Sequence, residues 1–402
     1  MTPFELGVNY WPRRKAMYWW SDFDKGEVEE EFSVIREIGM TKVRVFLLWD
    51  HWQPTPDSVS MDCLRNLETV ADIAAARGLS LDVTFFTGHM SGPNWSPGWL
   101  LDPNGLRWQQ LVSGDEVVDS GYRNMFSDPV ALDAERLLLK TVVGALREHP
   151  AIWLWNLGNE PDLFAHPPTD AQGAAWVREM TALIKSIDPV HPVTCGLHIA
   201  SVLQNNGLRV DQVYRETDVA VMHAYPMYIH WARDPLDPDF VPFTAALTTA
   251  LSGKPTLFEE FGGCTVAAGE PSQIWAWTAY GQPRTQFMAS EDDFAAYIEQ
   301  VLPRLQASGS TGALLWCYAD YIAELWDKPP CSESRHERFF GLVRPDGTLK
   351  PHAKVIQKFA QTQPQVLIPT RRLELGMSTD EFYQDPAGHS ERLYHQWIDG
   401  LR

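Results

Sequence analysis

The sequence lacks the features that mark membrane-spanning, secreted and nucleic-acid-binding proteins. In 402 residues, no apolar run approaches the length that crosses a bilayer, and the N-terminus has no basic stretch followed by an apolar one. The 33 basic residues are outnumbered by 52 acidic ones, and the net charge of -19 disfavours nucleic acid or an anionic membrane as a partner. We therefore expect a cytoplasmic protein that acts on neutral molecules.

The sequence is also poor in patterns that bind metals and cofactors. Its five cysteines are odd in number and have no CxxC spacing, which disfavours a disulfide framework or a cysteine zinc site. The 12 histidines include no His-Glu-x-x-His pattern. No Gly-x-Gly-x-x-Gly turn follows the first apolar strand, which weakens the alternative of an open doubly wound sheet. We expect neither a catalytic metal nor a cofactor.

Tryptophan, by contrast, is present in excess, with 17 copies. This number is more than a core alone requires, and the bulky indole is common at partly open sites where one face of the ring remains available. The C–H face of a pyranose packs well on such a ring. A sugar-binding cleft is therefore one interpretation of the composition.

Short apolar, β-rich segments alternate with longer amphipathic ones along the chain. This alternation predicts an α/β fold, a closed (β/α)8 TIM barrel. The predicted strands are 6–11, 42–49, 79–87, 151–157, 192–197, 219–223, 256–260 and 312–316. The best-defined helices are 24–39, 61–77, 129–148, 170–187, 243–251, 291–305 and 351–360.

Three strand-to-helix connections are long and rich in Trp, Pro and Gly: 88–128, 262–290 and 317–350. Barrels of this kind place their active sites in the loops on that face. We predict a catalytic barrel over residues 1–363. Residues 364–402, with a helical pattern near 390–397, are predicted to be an extension packed on the barrel.

Two glutamates stand where the chemistry of such a barrel is expected. Glu160, in Trp-Asn-Leu-Gly-Asn-Glu-Pro, follows the fourth strand, and Glu260, in Phe-Glu-Glu-Phe-Gly, ends the seventh. Cleavage of a glycosidic bond with retention needs two carboxyls roughly 5 Å apart, one protonated and one ionised. Two glutamates at the same rim can meet that need.

With these two glutamates, the sequence resembles the clan A glycoside hydrolases, and most closely glycoside hydrolase family 5. The resemblance covers roughly residues 5–360. It implies that Asn159 binds the 2-hydroxyl of the sugar, that Glu160 is the acid/base and that Glu260 is the nucleophile. Two other matching positions are Arg44, which would hold the nucleophile ionised, and His89, which would contact the sugar. The resemblance also implies that His223 and Tyr225 lie near the cleaved sugar and that Trp316 is the platform beneath it.

Glu259 and Glu260 are adjacent, and neighbouring strand residues point to opposite sides. Only one of them is therefore expected to face the centre of the mouth. The family pattern places the nucleophile directly before the aromatic-Gly pair, which favours Glu260. Glu259 is expected to point elsewhere, toward a buried Arg or Lys.

Further tryptophans are candidates for sugar contact: Trp11 at the end of the first strand, and Trp95 and Trp277 in the long loops. Long loops favour a blind pocket over an open groove. The opening Gly-Val-Asn-Tyr-Trp-Pro-Arg and the segment Phe-Phe-Gly-Leu-Val-Arg-Pro-Asp-Gly-Thr resemble bacterial, intracellular, exo-acting β-mannosidases of family 5.

The resemblance implies a short oligosaccharide substrate, such as a short β-mannoside or mannosyl-β-1,4-GlcNAc. An endo-β-1,4-mannanase and a β-glucosidase or β-galactosidase of the same clan remain alternatives. A transglycosylase and a non-catalytic carbohydrate-binding barrel also stay open, although a binding barrel would typically have lost one of the two glutamates.

Overall fold

The computed structural model of the chain describes residues 2–369 and 371–400, and its centre is one eight-stranded parallel sheet. The strands are β1 (Glu5–Asn9), β2 (Lys42–Leu48), β3 (Ser80–Thr87), β4 (Ile152–Asn159), β5 (Val193–Gly196), β6 (Ala220–His223), β7 (Thr256–Gly262) and β8 (Gly312–Trp316). Hydrogen-bonded neighbours run in the order β6-β7-β8-β1-β2-β3-β4-β5. Backbone bonds from His223 to Leu197 (3.0 Å) and from Ile199 to His223 (2.9 Å) join the two ends. The predicted (β/α)8 barrel is confirmed.

Helices follow the strands and surround the sheet. They are α1 (Lys25–Ile38), α2 (Met61–Ala76), α3 (Pro129–Leu146), α4 (Asp170–Ile187), α5 (Val210–Glu216), α6 (Phe240–Ser252), α7 (Glu291–Ala307) and α8 (Pro351–Gln361). Local sequence signals set their ends: the Asp24 carboxylate accepts from the backbone N–H of Gly26 and Glu27 at the start of α1. Gly39, at a φ of +94°, ends the same helix in the left-handed conformation that glycine adopts without strain.

The barrel strands are buried on both faces, which explains their nearly continuous apolar sequences. All residues of β7 are buried, and in β2 and β3 only the first residue is partly exposed. Buried charged residues nevertheless lie within three of these strands: Arg44 in β2, Asp82 in β3, and Glu259 and Glu260 in β7.

The long loops contain secondary structure that the sequence did not predict. A three-stranded sheet forms from Asn94–Trp95, Leu111–Ser113 and Glu116–Val118, close to the strand Leu101–Leu106. An antiparallel hairpin pairs Gln273–Ala279 with Gln282–Met288. Its two-residue turn, Tyr280 and Gly281, has positive φ at both positions (52° and 71°), the geometry that hairpin turns favour.

Short helices complete the connections between these elements. The α-helical ones are Trp49–Trp52, Pro161–Phe164, Ala200–Leu203 and Thr379–Phe382, and the 3-10 turns are Ala16–Tyr18, Gly98–Leu100, Pro226–Tyr228, Ala323–Leu325 and Arg335–Phe339. None of the helices within residues 2–369 and 371–400 combines the length and the apolar character needed to cross a bilayer.

The C-terminal segment ends in a helix, α9 (Pro386–Asp399), that packs on the outside of the barrel. Tyr394 and Trp397 of α9 contact Phe243 of α6, with ring centroids 5.3 and 6.4 Å apart. Tyr383 donates to the backbone oxygen of Ser201 (2.9 Å). The boundary between barrel and extension at residue 363 stays a prediction.

Candidate active site

A cavity of about 610 Å³ opens at the C-terminal ends of the barrel strands. Its floor includes Glu160 after β4, Glu260 in β7 and Trp316 at the end of β8. Its rim comes from the long loops, with Trp277 and Arg284 from the hairpin and Glu337 from the loop after β8 among the lining residues. The long loops thus form the walls of the cavity, and both glutamates are exposed at its floor.

Glu160 is held in an unusual backbone conformation at the floor of this cavity. Its φ and ψ are 47° and 51°, the left-handed region, directly before Pro161. Such a conformation costs about 1–3 kcal/mol for a non-glycine residue and is concentrated at functional sites. Burial and the neighbouring Glu260 raise the pKa of Glu160 to about 7. Glu160 can therefore keep its proton close to neutral pH.

Glu260 receives hydrogen bonds on both carboxylate oxygens. The Tyr225 hydroxyl donates to Oε1 (2.6 Å), and Arg44 Nη1 donates to Oε2 (3.2 Å). Burial and the Glu260 charge raise the pKa of Tyr225 well above its usual value, so the phenol remains a donor. These two donors fix the orientation of the Glu260 carboxylate at the floor of the cavity.

The two carboxyls lie close together. Oxygens of Glu160 and Glu260 and a ring nitrogen of His223 all fall within 4.8 Å of one another. Retaining glycosidases have carboxyls about 5–5.5 Å apart, whereas inverting ones separate them by about 6.5–9.5 Å to admit a water. The short separation therefore suits direct attack by one carboxylate rather than activation of a water between them.

The same three side chains form a group whose donor atoms are near enough to share a metal ion. Arg44 already stands 3.2 Å from Glu260. His223, with a pKa raised to about 9, carries a second positive charge. Both charges oppose a cation, and the absence of a catalytic metal stays a prediction.

His223 lies under the two glutamates, and both of its ring nitrogens are within hydrogen-bond distance of a glutamate oxygen. Its Nδ1 is 3.1 Å from Glu160 Oε1 and 3.6 Å from Glu260 Oε2, and its Nε2 is 2.9 Å from Glu259 Oε2. Burial opposes the charged ring, but Glu260 and hydrogen bonds to Glu160 and Glu259 raise the pKa of His223 to about 9. The imidazolium therefore donates on both sides near neutral pH.

Beneath His223, Glu259 is wholly buried in a network of polar groups. Asn156 donates to its Oε2 (3.0 Å), and Arg44 Nη2 lies 3.5 Å from the same oxygen. Burial favours the neutral acid, yet Arg44 and His223 lower the pKa of Glu259 to about 2. Glu259 is thus ionised and serves as the counter-charge of both cations.

Asp82, in β3, behaves in the opposite way. It is wholly buried, and burial together with the Glu259 charge raises its pKa well above the usual range. Asp82 Oδ2 and Glu259 Oε1 are both buried with no hydrogen-bond partner among the described residues, so a protonated Asp82 is suited to donate to Glu259. The charges of Arg44 and His223 then offset those of Glu259 and Glu260 while Asp82 is protonated, and Glu160 is the acid of this group that titrates near pH 7.

The strict alternation expected at Glu259 and Glu260 does not hold locally. The pairing of β7 with β6 shifts after Met222, and its pairing with β8 shifts between Phe258 and Phe261. Such an irregularity lets consecutive residues point toward the same side. Both glutamates reach Arg44, as the sequence suggested for Glu259, but only Glu260 lines the cavity.

Asn159, His89 and Trp316 all line the cavity, as expected. Asn159 donates to the backbone oxygen of His89 (2.9 Å), and its buried Oδ1 has no partner among the described residues. That free acceptor suits a sugar hydroxyl. His89 bonds Asn94 (2.8 Å), and burial lowers its pKa to about 4, so it is neutral.

Of the remaining residues predicted to contact the sugar, some line the cavity and others lie buried behind it. Tyr225 and Trp277 line the cavity, whereas Arg44 and His223 are wholly buried beneath it and act through the glutamates. Trp11 was expected to contact the sugar, but it is not among the residues that line the cavity. It stacks instead on Phe46, with ring centroids 5.0 Å apart.

Trp95 also lies outside the wall. Its indole donates to the backbone oxygen of Met90 (3.2 Å), and the side chain is fully buried in the loop after β3. Both tryptophans therefore support the layer behind the site rather than a sugar. Their sequence contexts gave no sign of this, because loop packing and sugar stacking both favour Trp.

Several lining residues were not expected from the sequence: His198, Tyr228, Arg284, Gln286, His336 and Glu337. Arg284 and Gln286 lie on the hairpin, within the segment 262–290 that was expected to be a loop. Glu337 lies in the 3-10 turn Arg335–Phe339 of the third long loop. A cluster of His and Glu in a predicted active-site loop was the signal that could have drawn attention to it.

Comparison with known proteins identifies the family. The sequence model described as "Glycosyl hydrolases family 2, TIM barrel domain" matches residues 101–363, which include both Glu160 and Glu260. The chain belongs to this family of glycosyl hydrolases. The resemblance to glycoside hydrolase family 5 found in the sequence is confirmed, since the similar proteins include GH5_18 structures, an exo-beta-1,4-mannosidase and mannan endo-1,4-beta-mannosidases.

Among curated relatives, the hydrolase is similar to a putative mannan endo-1,4-beta-mannosidase of Oryza sativa subsp. japonica. The two are 26% identical over 338 residues, 73% of this chain and 62% of the relative. A mannan endo-1,4-beta-mannosidase of Hypocrea jecorina is also 26% identical, over 69% of this chain and 66% of its own length. The chain therefore spans about two thirds or less of the curated relatives it matches.

Solved structures share the fold. An exo-beta-1,4-mannosidase from Opitutaceae bacterium strain TAV5 superposes with a TM-score of 0.72 at 24% identity, covering 90% of this chain and 60% of that one. A GH5_18 variant from Streptomyces cattleya in complex with Manb1-4GlcNAc gives a TM-score of 0.76 at 20% identity, over 96% and 87%. At these identities the superpositions establish the barrel architecture.

Proposed function

We propose that this glycosyl hydrolase is a retaining, exo-acting β-mannosidase that releases mannose from short β-mannosides, including mannosyl-β-1,4-GlcNAc. The observation that carries the proposal is the pair Glu160 and Glu260, with oxygens within 4.8 Å at the floor of a walled cavity. One carboxyl is suited to hold a proton and the other to remain ionised.

In the first step, Glu160 donates its proton to the leaving oxygen while Glu260 attacks the anomeric carbon. The pKa of Glu160, raised to about 7 by burial and by Glu260, keeps that proton available. Arg44 and Tyr225 fix the orientation of the Glu260 carboxylate. The bond to the leaving group breaks, and a glycosyl-enzyme forms on Glu260.

In the second step, water attacks the same carbon. Glu260 is now an ester and carries no charge, so it no longer raises the pKa of Glu160. Glu160, left ionised by the first step, takes a proton from the attacking water. The glycosyl bond to Glu260 breaks, and the sugar leaves with its original configuration.

The exo-acting assignment is supported by the walls of the cavity. The hairpin contributes Trp277, Arg284 and Gln286, and the loop after β8 contributes His336 and Glu337. Trp277 Nε1 donates to the backbone oxygen of Glu333 (2.7 Å), which ties the hairpin to that loop. A cavity enclosed in this way suits the end of a chain more than its middle.

The choice of mannose is supported by the similar proteins. The barrel superposes on an exo-beta-1,4-mannosidase and on GH5_18 structures in complex with Manb1-4GlcNAc or GlcNAc. The curated relatives, in contrast, are mannan endo-1,4-beta-mannosidases, which favours an endo-mannanase as the second candidate. Both candidates use the same glutamate pair.

A panel of 4-nitrophenyl β-glycosides tests the proposal. We expect hydrolysis of the β-mannoside by the natural chain and by Glu324→Gln, an exposed acid outside the cavity. On mannobiose, whose leaving group is not activated, Glu160→Gln and Glu260→Gln should each lose at least about 10³-fold in kcat. Hydrolysis of none of the panel, or full activity in Glu260→Gln, would overturn the proposal.

A comparison of mannobiose with mannohexaose separates the two candidates. In the first turnovers an exo-acting enzyme converts mannohexaose to mannose and mannopentaose, whereas an endo-acting enzyme gives mannobiose with mannotetraose, or two molecules of mannotriose. Chromatography of early time points distinguishes these outcomes. Mannotriose or mannotetraose as the first product would favour the endo-mannanase.

A further inference from the structure

Glu337 is a third carboxyl in the cavity that holds the catalytic pair. It lies in the 3-10 turn Arg335–Phe339, and its backbone N–H donates to the Ser334 oxygen (2.9 Å). Only 10% of its side chain is exposed, and that part opens on the cavity. The two-step mechanism above uses Glu160 and Glu260 and leaves Glu337 without a role.

The burial of Glu337 is not balanced by a cation. Arg44 accompanies Glu260, and His223 accompanies Glu160, but the described residues place no Lys or Arg within 4.0 Å of Glu337. Its one ion-pair contact is His336 Nε2, 3.5 Å away. Burial and Arg284 lower the pKa of His336 to about 3, so that ring is neutral and supplies no charge.

Ser91, Trp316 and both catalytic glutamates line the cavity together with Glu337. Burial and the charges of Glu260 and Glu160 raise the pKa of Glu337 to about 8. A buried carboxyl with incomplete solvation is costly unless a partner supplies hydrogen bonds. In a cavity built for a sugar, that partner is the ligand.

We propose that Glu337 recognises the terminal sugar by hydrogen bonding to one or two of its hydroxyl groups away from the reacting carbon. This inference rests on the proposed glycosidase function and names a specificity-determining residue for it. A carboxyl suits the task because its two oxygens can engage vicinal hydroxyls together. Glu337 and Trp316, the expected platform beneath the ring, line the same cavity.

Double-mutant cycles with deoxy substrates test this directly. The kcat/KM of the natural chain and of Glu337→Gln and Glu337→Ala is measured on 4-nitrophenyl β-mannoside and on its 2-, 3-, 4- and 6-monodeoxy forms. Glu337→Ala should lose about 10²-fold or more on the parent sugar. On the one or two deoxy sugars that lack the contacted hydroxyl, the same substitution should cost at least tenfold less.

A residue that only supports the loop would give a different pattern. Its removal would lower kcat/KM by the same factor on every sugar in the series, and that additivity would overturn the proposal. Glu324→Gln, an exposed acid of the same loop, is the matched control and should match the natural chain on all five. Thermal melting of each variant verifies folding, and Glu337→Gln, which conserves shape, supplies a second cycle if Glu337→Ala is unstable.

The test also separates this inference from the mannose assignment. If the enzyme hydrolyses a β-glucoside or β-galactoside instead, the proposed function is wrong, but the same cycle applies to monodeoxy forms of the accepted sugar. Coupling between Glu337 and one hydroxyl there would support its recognition role. Additivity on the accepted sugar would overturn it.

Discussion

At the residue scale, the position of Glu160 combines backbone strain with a neighbouring negative charge. Its left-handed φ of 47° turns the chain sharply after β4 and before Pro161. Its carboxyl also lies close to Glu260, whose charge disfavours a second ionised acid. Both features cost stability, and both favour a neutral acid aimed into the cavity.

The raised pKa of Glu160 predicts the alkaline limit of activity. Because a raised acid pKa means that the proton is held up to that pH and lost above it, kcat/KM should fall as pH rises through about 7. The measurement is a pH profile with 4-nitrophenyl β-mannoside. In Glu160→Gln, assayed on a 2,4-dinitrophenyl mannoside that needs no acid, this alkaline decline should disappear; its persistence would assign it to another group.

Asp82 offers a separate test of the buried charge balance. An asparagine can donate to Glu259 as a protonated Asp82 does, without a change in charge. Asp82→Asn should therefore keep kcat within about threefold and leave the alkaline limit of kcat/KM unchanged. Asp82→Ala leaves the Glu259 carboxylate short of a donor and should lower the free energy of unfolding by about 1–3 kcal/mol.

The contrary outcome for Asp82 is equally clear. If Asp82 were ionised in the natural chain, Asp82→Asn would remove a negative charge near the site. The pKa of Glu160 would then fall, and the alkaline decline of the pH profile would move to lower pH. A shift of that kind would contradict the proton assigned to Asp82.

At the scale of elements, the hairpin Gln273–Ala279 with Gln282–Met288 forms one wall of the cavity. Trp277 pairs directly across from Arg284, so the two side chains share a face. Ile274 lies on the opposite face and is 62% exposed. The face of Trp277 and Arg284 therefore lines the cavity, whereas Ile274 is directed to solvent.

This division predicts different effects for substitutions on the two faces. Trp277→Ala should lower kcat/KM on mannobiose by about tenfold, because a half-buried indole at the rim contributes about 1–2 kcal/mol. It should also raise the relative rate on mannohexaose, since the wall is lowered. Ile274→Ala is the matched control and should change neither; equal losses in both variants would show that the hairpin acts only through its stability.

The elements of the barrel could be predicted from the sequence because their signals are strong and local. Each strand is an apolar segment buried on both faces, and Asp24 and Gly39 mark the ends of α1 in the residues themselves. The hairpin could not be predicted in this way. Its strands Gln273–Ala279 and Gln282–Met288 are largely exposed, and its Tyr280-Gly281 turn is not one of the usual hairpin dipeptides.

The site residues that could be predicted from the sequence are likewise those positioned by the barrel strands. Glu160, Glu260, Asn159 and Tyr225 lie in or just after strands, near the C-terminal ends, so the barrel brings them together once the fold is recognised. Glu337 comes from a turn far along a loop, and the position of Trp11 depends on stacking with Phe46. The inward position of Glu259 depends on a register shift, which a simple alternation of faces excludes.

At the scale of the whole molecule, the last helix is joined to the barrel by aromatic contacts. Tyr394 is fully buried and Trp397 is 5% exposed, both against α6. The start of the extension pairs with the N-terminus, where the backbone of Phe4 donates to the Pro364 oxygen (2.9 Å). These contacts bind the segment to the outside of the barrel, and none of its described residues lines the cavity.

Trp397→Ala should therefore affect stability and not catalysis. Removing a buried indole costs about 3–5 kcal/mol of the free energy of unfolding. Chemical denaturation should show this loss, while kcat at 25 °C stays within about twofold. His395→Ala, on the same helix with a 60% exposed side chain, is the control and should be neutral in both assays. A loss of kcat in folded Trp397→Ala would contradict a purely structural role.

The account rests on Glu260 as the residue that attacks the sugar, and trapping that intermediate tests it most directly. A 2-deoxy-2-fluoro-β-mannosyl fluoride forms the glycosyl-enzyme quickly and releases it slowly, so digestion and mass spectrometry can locate the adduct. We predict one sugar per chain, attached to Glu260 within the β7 sequence Thr256–Gly262. An adduct on Glu259 or Glu160, or inactivation with no adduct on the chain, would contradict the mechanism.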